Sequence, residues 1–113
     1  MVEIKRSSRE LNKVEIYRMT LDNAITSCKD LEDGTEITVD AWLEYNDIKE
    51  DGKEESIFAI LATDGHVYAC TSKTFARNVL EIADVFDNDT FTIIKNSGVT
   101  KAGKDFIFAS LKY

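Results

Sequence analysis

The stretch Ser56–Phe86, SIFAILATDGHVYACTSKTFARNVLEIADVF, decides how the rest of the chain is read. It opens with an apolar run from Ile57 to Thr63, breaks at Asp64-Gly65 and resumes from His66 to Thr71. Two strand-like runs joined by Asp-Gly predict a hairpin, because these residues tolerate the positive φ of a tight turn. The spacing then changes. Phe75, Val79, Ile82 and Phe86 recur at helical steps, with Ser72 placed as N-cap, so an amphipathic helix is expected over Thr74–Phe86. A two-residue turn pairs Thr63 with His66. That register puts Ile57, Ala59, Leu61, Tyr68 and Cys70 on one face and Phe58, Ile60, Ala62, Val67 and Ala69 on the other. Phe58 and Tyr68 therefore do not share a face.

Before this unit, Thr35–Asn46 alternates cleanly. Ile37, Val39, Ala41, Leu43 and Tyr45 point one way, and Thr38, Asp40, Trp42 and Glu44 the other. This predicts a long half-buried strand with the single tryptophan on its polar face. Asp47–Glu55 reads as a charged loop centred on Asp51-Gly52. After the unit, Thr90–Asn96 is strand-like, Asn96–Lys104 is a loop with two glycines, and Asp105–Tyr113 is a last strand. In that strand Ile107, Ala109 and Leu111 alternate with Phe106 and Phe108. The first 34 residues are less regular. Lys5, Arg6, Arg9, Lys13 and Arg18 make a basic opening segment or a solvated tail. Val14–Thr20 suits a short strand or the continuation of a helix from Ser8, and Leu21, Ala24, Ile25, Cys28 and Leu31 fall at helical spacing up to the turn at Asp33-Gly34.

At 113 residues the chain is expected to be one domain, a barrel over 35–113 preceded by an extension over 1–34. No apolar run is long enough to span a membrane, and Met1–Lys5 lacks the apolar core of a signal peptide. Two cysteines make no disulfide framework, so Cys28 and Cys70 are expected as buried thiols of a cytoplasmic protein. One histidine and two cysteines argue against a zinc centre, and the acidic residues match no calcium loop. No metal or other cofactor is expected. The net charge of −7 is uneven: residues 1–20 carry five basic and three acidic side chains, residues 21–55 three and twelve, and residues 56–113 six of each. The chain as a whole repels nucleic acid at long range, yet it has a basic and an acidic side.

The predicted order is three strands, a helix and two strands. That is the order of an OB-fold, a five-stranded Greek-key barrel, here with the helix plugging one end. Asp30–Leu43 also resembles the first strand of nucleic-acid-binding OB-folds, and Ile57–Leu61 the second. Over about Arg9–Leu111 the chain resembles phage-encoded single-stranded DNA-binding proteins of Gram-positive hosts. The matching features are Lys13-Val14-Glu15, Asp64–Ala69, Ser72–Phe75 and Lys101–Phe106. The resemblance implies a non-catalytic protein of the host cytoplasm that coats single-stranded DNA during replication or recombination. Replication proteins and further copies of the chain are its candidate protein partners. The chain stops at Leu111-Lys112-Tyr113, where cellular bacterial relatives carry an acidic tail that recruits partners.

Strand binding needs aromatic faces for bases and cations for phosphates. Lys95, Lys101 and Lys104 supply cations around the last loop, beside Gly98 and Gly103. Lys73 and Arg77, one helical turn apart, extend the patch or form a solvated helix face. Trp42 is the first stacking candidate because strand parity sets it outward, unless the N-terminal segment covers it. Phe58, Tyr68 and Phe106 are the others. Asp64 and His66 flank a turn glycine, which accounts for them without catalysis. The competing function is an OB-fold protein-interaction module or an acidic DNA mimic that inhibits a host nucleic-acid enzyme, favoured by the acidic balance of residues 21–55.

Overall fold

The computed structural model describes residues 1–87 and 89–113. Its elements are β1 (Val2–Ser7), α1 (Lys13–Thr20), β2 (Thr26–Ser27), a 3-10 turn (Cys28–Asp30), β3 (Thr35–Ile48), β4 (Glu54–Ala62), β5 (Val67–Cys70), α2 (Lys73–Val85), β6 (Phe91–Val99) and β7 (Asp105–Leu111). Strand β3 is the axis of the sheet. Along one edge it pairs with β4 from Val39 to Ile48. Its other edge is shared, with β6 on Thr35–Val39 and β1 on Leu43–Asp47. The path through the sheet is β2-β5-β4-β3-β6-β7, antiparallel except for the short β2–β5 pair. The result is a mostly β protein with two helices and a curled half-barrel sheet.

The expected order of three strands, a helix and two strands appears as β3-β4-β5-α2-β6-β7. The expected count of five strands and one helix does not, and among the described residues no ladder joins β2 to β7 to close the sheet. The basic opening segment is not a tail. It is β1, antiparallel to β3, followed by α1. The charges that made it read as solvated suit an edge strand, which blunts its unpaired side with them. Helix α1 starts at a capping box: Asn12 Oδ1 accepts from the Glu15 amide at 2.8 Å, and the Glu15 carboxylate accepts from the Asn12 amide at 3.0 Å. The helix expected over Leu21–Leu31 is only β2 and the 3-10 turn, too short for the period to express itself.

Two register details reverse the expected faces. The β4–β5 turn has three residues, Thr63-Asp64-Gly65, with Gly65 at φ +91° and Ala62 bonded to His66. Phe58 therefore pairs with Cys70 and Ile60 with Tyr68, so Phe58 and Tyr68 share one face after all. In β3 the register shifts between Val39 and Ala41, a β-bulge at Asp40. Ile37 and Val39 stay on the face towards α2, but Ala41, Leu43 and Tyr45 turn to the opposite one. Trp42 is thereby carried onto the α2 side. One core lies there, with Ile37, Trp42, Phe58, Ile60, Phe75, Val79 and Ile93; a second, under α1, contains Met19, Leu43, Tyr45, Ala59 and Leu61. Each face of the central strands is covered, which is why period-two alternation fails in β4. Both cysteines are free and buried, as expected.

Candidate nucleic-acid interface

Helix α2 begins where the sequence places it, with Ser72 Oγ accepting from the Phe75 amide at 3.1 Å. Phe75, Val79 and Ala83 are buried against the sheet, which leaves Lys73 and Arg77 on the exposed flank facing β3 and β4. Between that flank and the strands lies a cavity of about 570 Å³, lined by Arg6, Trp42, Glu44, Phe58, Lys73 and Arg77 among others. Four of the residues singled out in the sequence therefore meet in one place.

Trp42 and Phe58 stack, with ring centroids 6.0 Å apart and planes 27° from parallel. Trp42 is only 7% exposed, so parity misjudged it: the bulge at Asp40 turns it inward. The bulge residue is itself held, since Arg9 bridges Asp40 (3.1 Å) and Glu15 (2.8 Å). Arg6 covers the indole, its Cζ 5.6 Å from the ring centroid, a cation–π distance. Sequence reasoning missed Arg6. A second register shift, between Ile4 and Arg6 in β1, sets Arg6 opposite Glu44. Their side chains are bonded at 3.0 Å. The signal available in sequence was only a cation in a basic run.

The other candidates are distributed. Tyr68, half-buried, packs against the α2-side core but does not line this cavity. Phe106 lines a second opening of about 1170 Å³, together with Lys29, Tyr45, Ile57 and Lys95. Its ring lies over Gly98, where a Cβ would meet Phe106 Cζ at 2.7 Å; that glycine is what lets the ring lie flat on the neighbouring strand. Lys101 and Lys104 are exposed at the β6–β7 turn, which is tied by Thr100 to Lys104. Lys95 is not a loop cation. It stands in β6, 3% exposed, donating to the Leu31 carbonyl at 2.6 Å and to Asp33 at 3.1 Å. Asp33 also accepts from Ser97 at 2.7 Å, and these two partners hold its carboxyl below the usual carboxylate range. Its ammonium is taken up by this structural network, as burial of a charge requires.

The arrangement offers an aromatic floor with cations at its rim, and among the described residues no cluster of side chains suits a metal. Among the described residues no helix is long and apolar enough to cross a membrane. Comparison with known proteins agrees with what these groups suit. No solved structure matches the chain. The single-stranded DNA-binding protein of Bacillus phage phi29 is 32% identical over 91 residues, covering 75% of this chain and 73% of the relative. That of Bacillus phage B103 is 35% identical over 86 residues, covering 71% and 70%. A family model described as phage single-stranded DNA-binding protein matches residues 6–112, and the chain belongs to that family.

Proposed function

We propose that the protein coats single-stranded DNA, without catalysis, during phage replication in the host cytoplasm. The observation that carries this reading is the Trp42–Phe58 stack set among Arg6, Lys73 and Arg77 in one cavity. Bases stack on aromatic rings whatever their sequence, and cations at the rim take the phosphates. Lys101 and Lys104 on the exposed turn, with Phe106 behind them, extend the path across the second opening. Tyr68 adds an aromatic on the same sheet face as Trp42. Residues 35–111 carry the strand and helix order of an OB-fold, and β1 and α1 are additions to it, so we read the sheet as an OB-like barrel left open between β2 and β7.

The DNA-mimic reading rests on the acidic balance of residues 21–55, and the ion pairs weaken it. Asp33, Glu36, Asp40, Glu44 and Asp47 are each bound to a cation of the chain itself. A mimic needs its carboxylates facing outward to a partner. The test is a gel-shift titration with labelled oligo-dT at low and high salt, with duplex DNA as competitor. Binding that weakens with salt and resists the duplex is the expected result; no binding at low salt removes the reading.

A further inference from the structure

Trp42 lines the cavity and packs in the α2-side core against Phe58, and over its ring lies a charged side chain held by another charged side chain. The Arg6 guanidinium sits 5.6 Å from the indole centroid, and its Nε is 3.0 Å from Glu44 Oε1. Arg6 is 57% exposed and Glu44 22% exposed at the side chain, so the pair stands at the rim, within reach of a ligand. Two irregularities bring the three residues together. The shift between Ile4 and Arg6 in β1 sets Arg6 opposite Glu44, and the bulge at Asp40 in β3 turns Trp42 to that same side. Bulges serve to re-aim side chains in this way. A carboxylate in a phosphate-binding cavity is a cost unless a cation masks it. Here Glu44 is masked by Arg6 and Glu81 by Arg77 at 3.8 Å, while a third carboxylate, Asp84, also lines the cavity.

Resting on the reading that this cavity takes single-stranded DNA, we propose that the Arg6–Glu44 pair is a displaceable cap over Trp42. In the free chain Glu44 holds the guanidinium across the indole. A phosphate of the incoming strand takes the guanidinium from Glu44, and the uncovered indole face receives a base. Arg6 and Glu44 are positioning residues for the stack, and Glu44 sets how readily the cap opens. Arginine suits the part because its planar fork stacks on a ring and binds carboxylate or phosphate with the same geometry.

The test is a double-mutant cycle on the full chain: unaltered, Glu44→Gln, Arg6→Ala and the double variant, each titrated with labelled oligo-dT at one low salt concentration. Acrylamide quenching reports exposure of the single tryptophan in the free proteins. Glu44→Gln is expected to bind about two- to fivefold tighter, the factor that a partly exposed ion pair is worth. Arg6→Ala is expected to bind more weakly and to expose the indole to acrylamide. The gain from Glu44→Gln should vanish in the Arg6→Ala background. An equal gain in both backgrounds makes Glu44 a general repulsive charge and overturns the cap. Arg6→Gln, which keeps the aliphatic stem, takes the place of Arg6→Ala should that variant fail to fold. A fifth protein, Trp42→Leu, which keeps apolar volume but removes the aromatic face, tests the underlying reading. If it folds and binds oligo-dT as tightly as the unaltered chain, the strand does not stack in this cavity and the cap falls with that reading; if it binds more weakly while Glu44→Gln gains equally in both Arg6 backgrounds, the cap alone falls.

Discussion

Lys95 and its neighbours in sequence show how one residue type takes two roles within ten positions. Lys95 is buried and spends its ammonium on Asp33 and the Leu31 carbonyl, whereas Lys101 and Lys104 are exposed on a turn. Lys95→Ala is therefore expected to lower the unfolding midpoint, because it leaves a backbone carbonyl and a carboxylate without their donor. Lys101→Ala with Lys104→Ala should leave stability alone and flatten the salt dependence of oligo-dT binding, by roughly 0.7 in slope for each phosphate no longer neutralised. Denaturant midpoints and salt titrations of the two proteins check this together. A flat salt response in the Lys95 variant with unchanged stability would reverse the assignment. Trp42 carries the same lesson. Its residue type announces a stacking platform, but whether it faces out depends on one inserted residue at Asp40 that alternation does not reveal.

At the scale of elements, the hairpin β6–β7 depends on a glycine for a packing reason. Gly98→Ala would drive a Cβ into the tip of the Phe106 ring, which is exposed and can swing aside, so the expected cost is about 1 kcal/mol or less. Chemical denaturation measures it, and Phe106→Ala in the same background should recover part of the loss. Helix α1 yields a pH prediction. The hydrogen bond from Arg9, then that from the Asn12 amide, holds the Glu15 carboxyl down at about 2, from 4.5. A depressed carboxyl stabilises the fold above its ordinary value, and the contribution is lost as pH falls from about 4.5 towards 2. The pair is partly exposed, so the loss is about 1 kcal/mol or less. Stability of Glu15→Gln should lack that step in a pH series; an identical profile would remove Glu15 from the cap. The elements with strong periodic signals are legible in the residues alone: β3, the β4–β5 hairpin, α2 with its Ser72 cap, β6 and β7 all lie within a few residues of where the sequence puts them. Register is not. A three-residue turn and a single-residue bulge each exchange the two faces of a strand, and neither leaves a composition signal. Strand β1 escapes sequence reading because Glu3, Lys5 and Arg6 suit an edge and a tail equally well.

At the scale of the molecule, the curled sheet folds its α2 side around a core that ends, at the β3–β4 margin, in the Trp42–Phe58 stack and its rim of cations. Several of the acidic side chains are paired locally, with Arg6 in β1, with Arg9 just before α1 and with Lys95 in β6, by the ion pairs that also shape the sheet. Apart from Arg6, the cations and aromatics of the cavity stand out in sequence, but only the fold shows that Trp42, Phe58, Lys73 and Arg77 converge while Phe106, Lys101 and Lys104 lie elsewhere. The central claim, that bases stack at Trp42, has a direct measurement because the chain has one tryptophan. Its emission should be blue-shifted in the free protein, where the indole is 7% exposed, and quenched as oligo-dT is added at low salt. Emission that stays unchanged while a gel shift shows the strand bound would place the bases elsewhere and contradict the account.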